Sequence, residues 1–553
     1  MDDVEAIIAY HERTKHHPHR YAAGPGGLDW ANQPDPFRRF EGAPLVRLPL
    51  IVEDKTPPYR LLYERGAVPA ASLTTESLSR FLECSLAISA WKSYGASRWA
   101  LRVNPSSGNL HPTEGYVILG GQVREVKGPG VYHYRPREHA LERRCRFTAE
   151  QWGLLTASFP AGSFLVGLSS VHWREAWKYG ERAFRYCNHD VGHAVGALRM
   201  AAAMLGWQLV VLEGLPDEDV AVLLGLNREE DFAEAVPEEP DLIAVVCPAA
   251  AAGSFRRGLP GGAARGVAEA DWTGKANRLS VKHKEWAAIE AATQATRKPA
   301  TEGPECHIHV ASGDVLADDL GREGPSARQI VLQRRSGVAF DGTTGISAEA
   351  FYRMMERLVP GSDDPGVPWD CLGWSPRVHL LLFVHLVEGL PPGLYVLTRD
   401  AGQMQRLREA MKKDFAWARP EACPQALPLY LLVETDCRRP AAQVSLGQDI
   451  AGDSAFSLGM VADFERSLGE LGGWFYRRLF WEAGLVGHVL YLEAEAARLR
   501  GTGIGAYFDD AVHDMLGLEG RAFQSLYHFT VGGAVEDPRL TTEEPYPRDE
   551  WKH

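Results

Sequence analysis

Clustered cysteines and metal-ligand motifs are missing from this sequence. Its eight cysteines are scattered along the chain, without a CxxC pair or a Cys/His cluster at metal-ligand spacing. They stand at positions 84, 145, 187, 247, 306, 371, 423 and 437. The spacing predicts reduced, mostly buried thiols and no metal site.

Long apolar runs and a surplus of positive charge are also missing. Leu242–Cys247 is among the longest apolar runs and is far too short to cross a membrane. The first residues, MDDVEAIIAYHERTKHH, lack the apolar core of a signal peptide. With 59 Lys and Arg against 72 Asp and Glu, the net charge of −13 argues against a broad nucleic-acid footprint. We expect a cytoplasmic protein that binds neither nucleic acid nor membrane.

The common nucleotide-binding fingerprints are absent as well. No GxGxxG opens a helix after a strand, and GxxxxGK[ST] does not occur. A dedicated fold for dinucleotides or nucleoside triphosphates is therefore unsupported. If NAD(P)H is used, we expect it to act as a transient electron donor.

Hydrophobic periodicity predicts a mixture of helices and strands. At 553 residues the chain is too long for one core, so two or more domains are expected. The predicted helices are Leu73–Ala90, Tyr179–Leu205, an exposed one over Lys282–Thr296, and one capped by Ser326. The predicted strands are Tyr116–Leu119, Val131–Tyr134, Ser163–Leu168 and Leu242–Val246.

Several short strings recur in the same order in the two halves. Gly130-Val131-Tyr132 is echoed by Gly393-Leu394-Tyr395, Gly192-His193 by Gly487-His488, and Leu224-Gly225-Leu226 by Leu516-Gly517-Leu518. These echoes predict a divergent internal duplication, whose halves pack as a homodimer would. The two histidines are interpreted as core or interface residues satisfied by hydrogen bonds, with catalysis as the alternative, and the two tyrosines as packing residues.

We predict four segments from composition and from these echoes. They are an irregular N-terminal arm (1–60), a first domain (61–250), a linker with an exposed helix (251–322) and a second domain (323–553).

One polar loop stands at the mouth of a predicted strand. In RVNPSSGNLHPTE, Pro105 and Gly108 favour a sharp turn, which leaves the hydroxyls of Ser106 and Ser107 and the Asn109 amide aimed outward. Such a loop suits a planar heterocycle. A plain turn without a ligand is the alternative.

Two further motifs carry charge. Arg334, Arg335 and Ser336 end a predicted helix and suit a phosphate dianion, if their side chains reach beyond the helix end. Lys178 and Tyr179 precede the long helix. For both motifs the alternative is a solvated helix end.

These strings resemble the FMN-dependent nitroreductase superfamily, and RVNPSSGNLHPTE with the upstream YHERTKHHP resembles its SagB-type thiazole/oxazole dehydrogenase branch. The resemblance implies two α-β-α sandwich domains with antiparallel sheets, packed as a pseudo-dimer of α+β class. It implies ring contacts from Pro105, Ser106, Ser107 and Asn109, with Arg102 at the start of the string. It implies phosphate contacts from Arg334, Arg335 and Ser336.

The resemblance is incomplete at one position. A later arginine of the phosphate motif is Val338 here, and Arg539 is a candidate replacement, with a surface arginine as the alternative. In the related dehydrogenases a Lys-Tyr pair assists proton removal, which implies catalytic roles for Lys178 and Tyr179. The second half has Leu372–His379 where the serine loop belongs, and Gly473 and Trp474 where the pair belongs. One intact FMN site is therefore expected.

The resemblance implies an FMN-dependent oxidoreductase that transfers hydride through flavin N5. A SagB-type dehydrogenase acting on a small molecule or a peptide heterocycle is the first reading. An NAD(P)H-dependent nitro or quinone reductase is the second. The third is a non-catalytic flavoprotein or scaffold partner in a biosynthetic complex.

Overall fold

The computed structural model describes residues 2–126, 128–248, 253–308 and 324–547. Its helices up to residue 308 are α1 Asp3–Arg13, α2 Thr75–Glu83, α3 Ala149–Thr156, α4 His172–Tyr179, α5 Ala183–Met204, α6 Asp217–Leu224, α7 Ala263–Ala268 and α8 Ala287–Ala295. Those after residue 323 are α9 Ala327–Gln333, α10 Ala348–Glu356, α11 Ala401–Ala410, α12 Arg438–Val444, α13 Asp449–Gly452, α14 Phe464–Leu471, α15 Phe475–Ala496 and α16 Ala511–Leu516.

The strands pair antiparallel in two large and three small sheets. The strands up to residue 308 are β1 Phe40–Glu41, β2 Leu45–Arg47, β3 Ile88–Tyr94, β4 Ser97–Arg102, β5 Thr113–Leu119, β6 Gly130–Arg135, β7 Ala140–Arg146, β8 Phe164–Ser170, β9 Gln208–Val211, β10 Glu239–Cys247, β11 Gly253–Arg256, β12 Asp271–Trp272, β13 Lys275–Ala276 and β14 Glu305–Ile308. The later strands are β15 Val378–Val384, β16 Gly393–Leu397, β17 Leu429–Glu434, β18 Phe456–Asp463, β19 Arg500–Ile504, β20 Phe523–Gly532 and β21 Thr541–Glu543.

The two large sheets repeat one topology. The first runs β12-β7-β6-β5-β8-β10-β9, with β2 on β7, and the second runs β17-β16-β15-β18-β20-β19. Six strands of each sheet, taken in chain order, occupy corresponding positions in the two strand orders. The long helices α5 and α15 also follow corresponding strands. The predicted α+β architecture with two similar parts is confirmed.

The two long central helices cross at a pair of glycines. A Cβ added at Gly192 would lie 2.2 Å from the Trp481 carbonyl oxygen, and one added at Gly484 would lie 2.2 Å from the His189 carbonyl oxygen. Only a residue without a side chain permits this approach of two backbones. The largest core cluster accordingly combines residues of both halves. Two smaller clusters cover the opposite faces of the two sheets.

Each end of the described chain crosses to the other half. In α1, His11 hydrogen-bonds with Tyr476 and Gln524 of the second half, at 3.2 Å in both cases. The late strand β21 pairs with β3, so that Glu543 faces Trp91. These crossings position the two halves relative to each other. All eight cysteines are buried and free, as predicted. Among the helices of the described residues, none combines the length and apolar character that a membrane span requires.

Three element predictions are wrong in part. The Leu73–Ala90 helix ends at Glu83, and Ile88 begins β3, because a strand buried at its start continues the apolar pattern of the helix. The N-terminal arm contains α1 and is not irregular throughout. The helix expected to be exposed within Lys282–Thr296 is α8, which buries Ile289 and Ala292 and packs against α1.

The predicted strands Tyr116–Leu119, Val131–Tyr134, Ser163–Leu168 and Leu242–Val246 correspond to β5, β6, β8 and β10. The predicted cap of α9 is also present, since Ser326 Oγ accepts from Gln329 N at 3.0 Å. The long helix begins at Ala183, four residues later than predicted, because α4 ends at Tyr179 and Gly180 has a φ of 57°. The domain boundaries stay a prediction, and the linker includes residues 309–322, which lie outside the described residues.

Candidate active site

The serine loop connects β4 to β5 and is held from below by one carboxylate. The Ser107 N–H and the Ser107 hydroxyl both donate to Asp190 Oδ1, at 2.9 Å each. Ser106 Oγ accepts from His111 N at 2.8 Å. The Asn109 amide donates to the Ala100 carbonyl oxygen at 2.9 Å. The expectation that these groups point outward is therefore wrong, because a buried acid on α5 and the edge of β4 compete for them.

The loop turns its glycine toward the Lys-Tyr pair. Gly108, with a φ of 57°, is exposed, and a Cβ added there would lie 2.4 Å from Tyr179 Oη and 3.1 Å from Lys178 Nζ. Both side chains belong to the last turn of α4, not to the start of the long helix as predicted. Among the described residues, neither the Lys178 ammonium nor the Tyr179 hydroxyl has a hydrogen-bond or ion-pair partner. Both groups are half-buried and available to a bound molecule.

A buried acid lies one turn before this pair. Both carboxylate oxygens of Glu175 are buried without a hydrogen-bond partner among the described residues. Burial, reinforced by nearby Asp190 and opposed by Lys178, raises the pKa of Glu175 well above its usual value. Burial also raises the pKa of Asp190 to about 7, although hydrogen bonds from Ser106 and Ser107 lower it. The loop and the pair thus rest on two carboxyl groups that retain protons more readily than exposed ones.

The Tyr179 hydroxyl remains a donor in this environment. Burial and the negative charge of Glu175 raise the pKa of Tyr179 well above its usual value. Its ring meets the Tyr186 ring edge to face, with centroids 4.5 Å apart, and Lys178 Nζ lies 5.2 Å from its own centroid. The ring is therefore fixed while the hydroxyl stays protonated at neutral pH.

The double arginine of the second half reaches the strand that leads into the loop. Arg334 follows α9, is buried, and donates from Nη2 to the Arg102 and Val103 carbonyl oxygens at 3.0 and 3.4 Å. Its guanidinium lies 5.0 Å from the centroid of the Tyr491 ring. The phosphate motif and the serine loop, separated by more than two hundred residues, therefore meet across the two halves.

Arg335 and Ser336 continue this contact. Arg335 donates to the Ser89 hydroxyl at 3.3 Å and to the Ser89 carbonyl oxygen at 3.2 Å. Ser336 Oγ hydrogen-bonds with Tyr491 Oη at 3.0 Å, and that hydroxyl also accepts from Gly503 N at 2.9 Å. The three residues thus line one boundary between the halves.

A third cation, missed in the sequence, joins this boundary. Burial, then Arg334 and Arg500, lowers the pKa of Arg335 to about 10. Arg500 is paired with Glu495, and Arg334 Nε is buried without a partner among the described residues. The guanidinium groups of Arg334, Arg335 and Arg500 outnumber the one carboxylate of Glu495, so this boundary carries excess positive charge. Together with the unpartnered Arg334 Nε donor, these groups fit a phosphate dianion.

A cavity of about 720 Å³ opens beside the arginines. Its lining includes Gln333, Arg498, Arg500 and Glu536 but not the Ser106–Asn109 loop. It therefore borders the arginine cluster on one side and is not the space between the arginines and the loop.

Two predicted contacts are engaged elsewhere. Arg102 is buried and donates to the Pro36 carbonyl oxygen at 2.5 Å, so it ties the N-terminal arm to the first half. Arg539 is exposed, pairs with Asp537 at 2.8 Å and lies over the Tyr94 ring. Their cofactor contacts stay predictions, as do those of Pro105, which is buried in the loop.

The corresponding loop of the second half is held differently. The Gly373 N–H donates to Glu213 Oε1 at 2.7 Å. Arg257, from the segment after β11, donates to the Cys371 and Asp370 carbonyl oxygens at 2.8 and 3.1 Å. Side chains of the first half and of the connecting segment therefore hold this loop. The serine loop, by contrast, is held by a side chain of α5.

Asp190 and Glu175 were not found by sequence reasoning. Asp190 lies on the apolar face of the long helix, next to Val191, and a lone acid there was the available signal. Glu175 had no comparable signal, because its burial depends on how α4 packs against α5. His193 and His488 are buried at the crossing of the long helices, with ring centroids 6.3 Å apart. The hydrogen bonds expected for them are present only in part: His193 Nε2 bonds with the Tyr527 hydroxyl at 3.1 Å, whereas neither ring nitrogen of His488 has a partner among the described residues.

The fold matches known proteins. Residues 68–236 match the Nitroreductase family. The whole chain superposes on the crystal structure of a nitroreductase-like protein from Anabaena variabilis with a TM-score of 0.65, covering 96% of this chain and 99% of that one at 22% identity. This likeness concerns the fold. The first half therefore contains a nitroreductase-family domain.

Two curated relatives match parts of the chain. The trifolitoxin-processing protein TfxB of Rhizobium leguminosarum is 29% identical over 24% of this chain and 38% of its own length. A protein of Methanocaldococcus jannaschii described as a nitroreductase, MJ1384, is 29% identical over 22% of this chain and 64% of its own. The matches thus span less than two thirds of either relative.

Proposed function

We propose that the chain is an FMN-dependent oxidoreductase of the SagB type, which oxidises a heterocycle of a peptide or small organic substrate in the cytoplasm. One observation carries the proposal. The Lys178 ammonium and the Tyr179 hydroxyl, both unpartnered among the described residues, stand beside exposed Gly108 of the serine loop. A base and a donor beside an exposed loop suit proton transfer with a substrate.

Arg334, Arg335 and Ser336 would hold the FMN phosphate. The surplus of guanidinium groups and the unpartnered Arg334 Nε support this role. Pro105, Ser106, Ser107 and Asn109 would face the ring system through the loop backbone, since their side chains hold the loop itself. When bound, FMN supplies hydride transfer at flavin N5.

The protein groups would handle the proton that accompanies the hydride. Dehydrogenation releases one hydride and one proton, and the neutral form of Lys178 Nζ would take the proton. Tyr179 Oη would donate a hydrogen bond to the substrate heteroatom, because its raised pKa keeps it protonated.

The name of one relative supports a peptide substrate. TfxB is named for the processing of trifolitoxin, and it matches part of this chain. A partner in a biosynthetic complex is consistent with that context. The matched part is 38% of TfxB, so the substrate class belongs to the proposal.

A nitro or quinone reductase that uses NAD(P)H is the second candidate. The relative MJ1384, described as a nitroreductase, favours it. A non-catalytic flavoprotein or scaffold is the third, because the position expected to carry an arginine is Val338, which is 85% exposed, and Arg539 is paired with Asp537.

Flavin loading and anaerobic reduction separate these candidates. The purified chain, incubated with FMN and desalted, should retain the yellow flavin spectrum, and a colourless protein would contradict both enzyme candidates. Anaerobic NADPH should leave the flavin of a dehydrogenase oxidised, whereas a peptide containing an azoline should bleach it. Rapid bleaching by NADPH, without any response to the azoline peptide, would favour the reductase instead.

A further inference from the structure

Arg478 is a buried cation without a partner. It lies in the first turn of α15 and is 3% exposed. Among the described residues its guanidinium has no hydrogen bond and no ion pair, and its Nε is fully buried. Buried charges in proteins are normally paired, and the N-terminal end of a helix is the less favourable end for a cation. The surroundings of Arg478 must therefore offset the high free energy of burying an unpaired charge at this end of a helix.

Three indole rings surround this guanidinium. Its central carbon lies 3.6 Å from the centroid of the Trp481 ring, 5.8 Å from that of Trp474 and 6.0 Å from that of Trp374. The Trp374 indole N–H is itself buried without a partner among the described residues. Cation–π contacts contribute about 0.5–2 kcal/mol, which is less than the cost of burying an unpaired charge.

The acids nearest to Arg478 have other partners. Glu213 accepts from Gly373 N and from Arg257 through Oε1, whereas its Oε2 is buried without a hydrogen-bond partner among the described residues. Asp217 pairs with Arg477 at 2.7 Å, and Asp241 accepts from the Ser170 hydroxyl at 2.7 Å. None of these carboxylates forms an ion pair with Arg478.

Further cations increase the local charge. Lys298 Nζ lies 4.8 Å from the centroid of the Trp474 ring, and Arg477 is adjacent in sequence. Burial, then Arg477, lowers the pKa of Arg478 to about 9. Burial, then Arg478, lowers the pKa of Lys298 to about 8. Arg257, Lys298, Arg477 and Arg478 thus face three acids, and one positive charge remains uncompensated.

This cluster occupies the place that corresponds to the candidate active site. Trp474 stands where the first half has Tyr179, and Gly373 and Trp374 lie in the loop that corresponds to the serine loop. Gly373 is exposed, and Trp374 and Trp474 are half-buried. Gly373, Trp374 and Trp474 thus give the edge of the cluster partial exposure to solvent, while Arg478 lies beneath them.

We propose that Arg478 binds an oxyanion, a carboxylate or a phosphate, carried by a small ligand whose apolar part contacts Trp374 and Trp474. The planar guanidinium fork matches both anions. Lys298 adds a second positive charge, and the two indoles provide flat apolar surface. This site is separate from the residues assigned to FMN, so it does not depend on the proposed function.

Indole NMR of the full chain, with FMN present in excess, tests the site directly. The indole N–H signals of Trp374 and Trp474, assigned with Trp374→Phe and Trp474→Phe, should shift saturably during titration with sodium phosphate or sodium benzoate at constant ionic strength. Arg478→Met should weaken this binding at least about tenfold, since a charge-assisted hydrogen bond is lost. A stronger response to benzoate indicates a carboxylate on a ring, and a stronger response to phosphate indicates a phosphate ligand.

Arg399→Met is the matched control. Arg399 is equally buried but is paired with Glu482, so this variant should keep the titration unchanged. The absence of saturable shifts with both anions, or equal affinity in the Arg478→Met variant, would overturn the proposal.

Stability provides a second readout. In buffer without either anion, Arg478→Met should have a Tm at or above that of the wild type, because it removes an unpaired buried charge. Arg399→Met should lower the Tm, because it removes the charged partner of the buried Glu482 carboxylate and leaves it only backbone donors. Equal losses in the two variants would contradict the unpaired state of Arg478. If Arg478→Met does not fold, Arg478→Lys retains the charge without the fork and should bind benzoate more weakly.

Discussion

The two halves have the same strand order, but different side chains surround their corresponding loops. In the first half, Asp190 holds the serine loop from below, which leaves Lys178 and Tyr179 free beside Gly108. In the second half, Glu213 and Arg257 hold the loop at Gly373, and no counterpart of the free pair exists.

This difference shows that a pseudo-symmetric backbone does not preserve a site. The strands and the long helices superimpose in order, because their burial demands the same alternation and the same close crossing. The loop residues carry no such packing constraint, so a few side chains determine whether the loop lies beside the Lys-Tyr pair or beside an unpaired cation. Variants that change one half at a time test this contrast.

The largest effect is expected at Lys178. Lys178→Met removes the proposed proton acceptor, and turnover should fall about 10²–10⁴-fold while the bound flavin spectrum persists. Steady-state assays and the visible spectrum measure both. Lys413→Met, which alters an exposed lysine just beyond helix α11, is the control and should retain full turnover. Unchanged turnover in Lys178→Met would remove its catalytic role.

A smaller effect should come from Gly108. Gly108→Ala places a methyl group 2.4 Å from Tyr179 Oη at a φ of 57°, so both the loop and Tyr179 must shift. About 1–3 kcal/mol of strain corresponds to a loss of turnover of about 5- to 150-fold. In Gly373→Ala the methyl group would meet the Glu213 carboxylate at 2.6 Å, which strains only the loop of the second half, so turnover should stay unchanged. Equal losses in the two variants would mean that the halves contribute alike.

The shared crossing of α5 and α15 should respond symmetrically. Gly192→Ala and Gly484→Ala each drive a methyl group into a backbone carbonyl at 2.2 Å, so each should cost about 1–3 kcal/mol of stability. Thermal unfolding measures the loss. Gly469→Ala in α14, with nothing within 4 Å of the added methyl group, should instead raise the Tm slightly. A large difference between the two crossing variants would show that the interface is not symmetric.

The smallest effect concerns pH. The folded-state pKa of Asp190, about 7, exceeds the ordinary value of 3.8, so the folded protein binds the extra proton between these values. The contribution of Asp190 to stability is therefore full at low pH and is lost as the pH rises toward 7, by at most about 1.4 kcal/mol per pH unit. Asp190→Asn should flatten the fall in Tm from pH 5 to 7. Parallel profiles for the two proteins would contradict this.

No comparable effect of a lone carboxyl is expected at the corresponding position of the second half. Leu485 stands there and does not titrate. The exposed Glu349→Gln serves as the control, and its pH profile should follow that of the wild type.

Periodicity and repeated strings in the sequence predicted most of the buried strands and the two similar parts, and the family resemblance predicted the α+β architecture and drew attention to the serine loop and the Lys-Tyr pair. Alternation of apolar residues and local turn chemistry are properties of short segments, so they are readable without the fold. The same locality misled the prediction at Ile88, where the apolar spacing of a helix continued into a strand.

The pairing of polar groups depends on the tertiary structure and could not be predicted from the sequence. The inward turn of Ser107 depends on Asp190, the reach of Arg334 depends on how the second half packs against Val103, and Arg478 is unpaired because its neighbouring acids are engaged elsewhere. Each of these contacts joins residues distant in sequence, and the free energy of a buried charge depends on every group around it. A linear pattern records none of that environment.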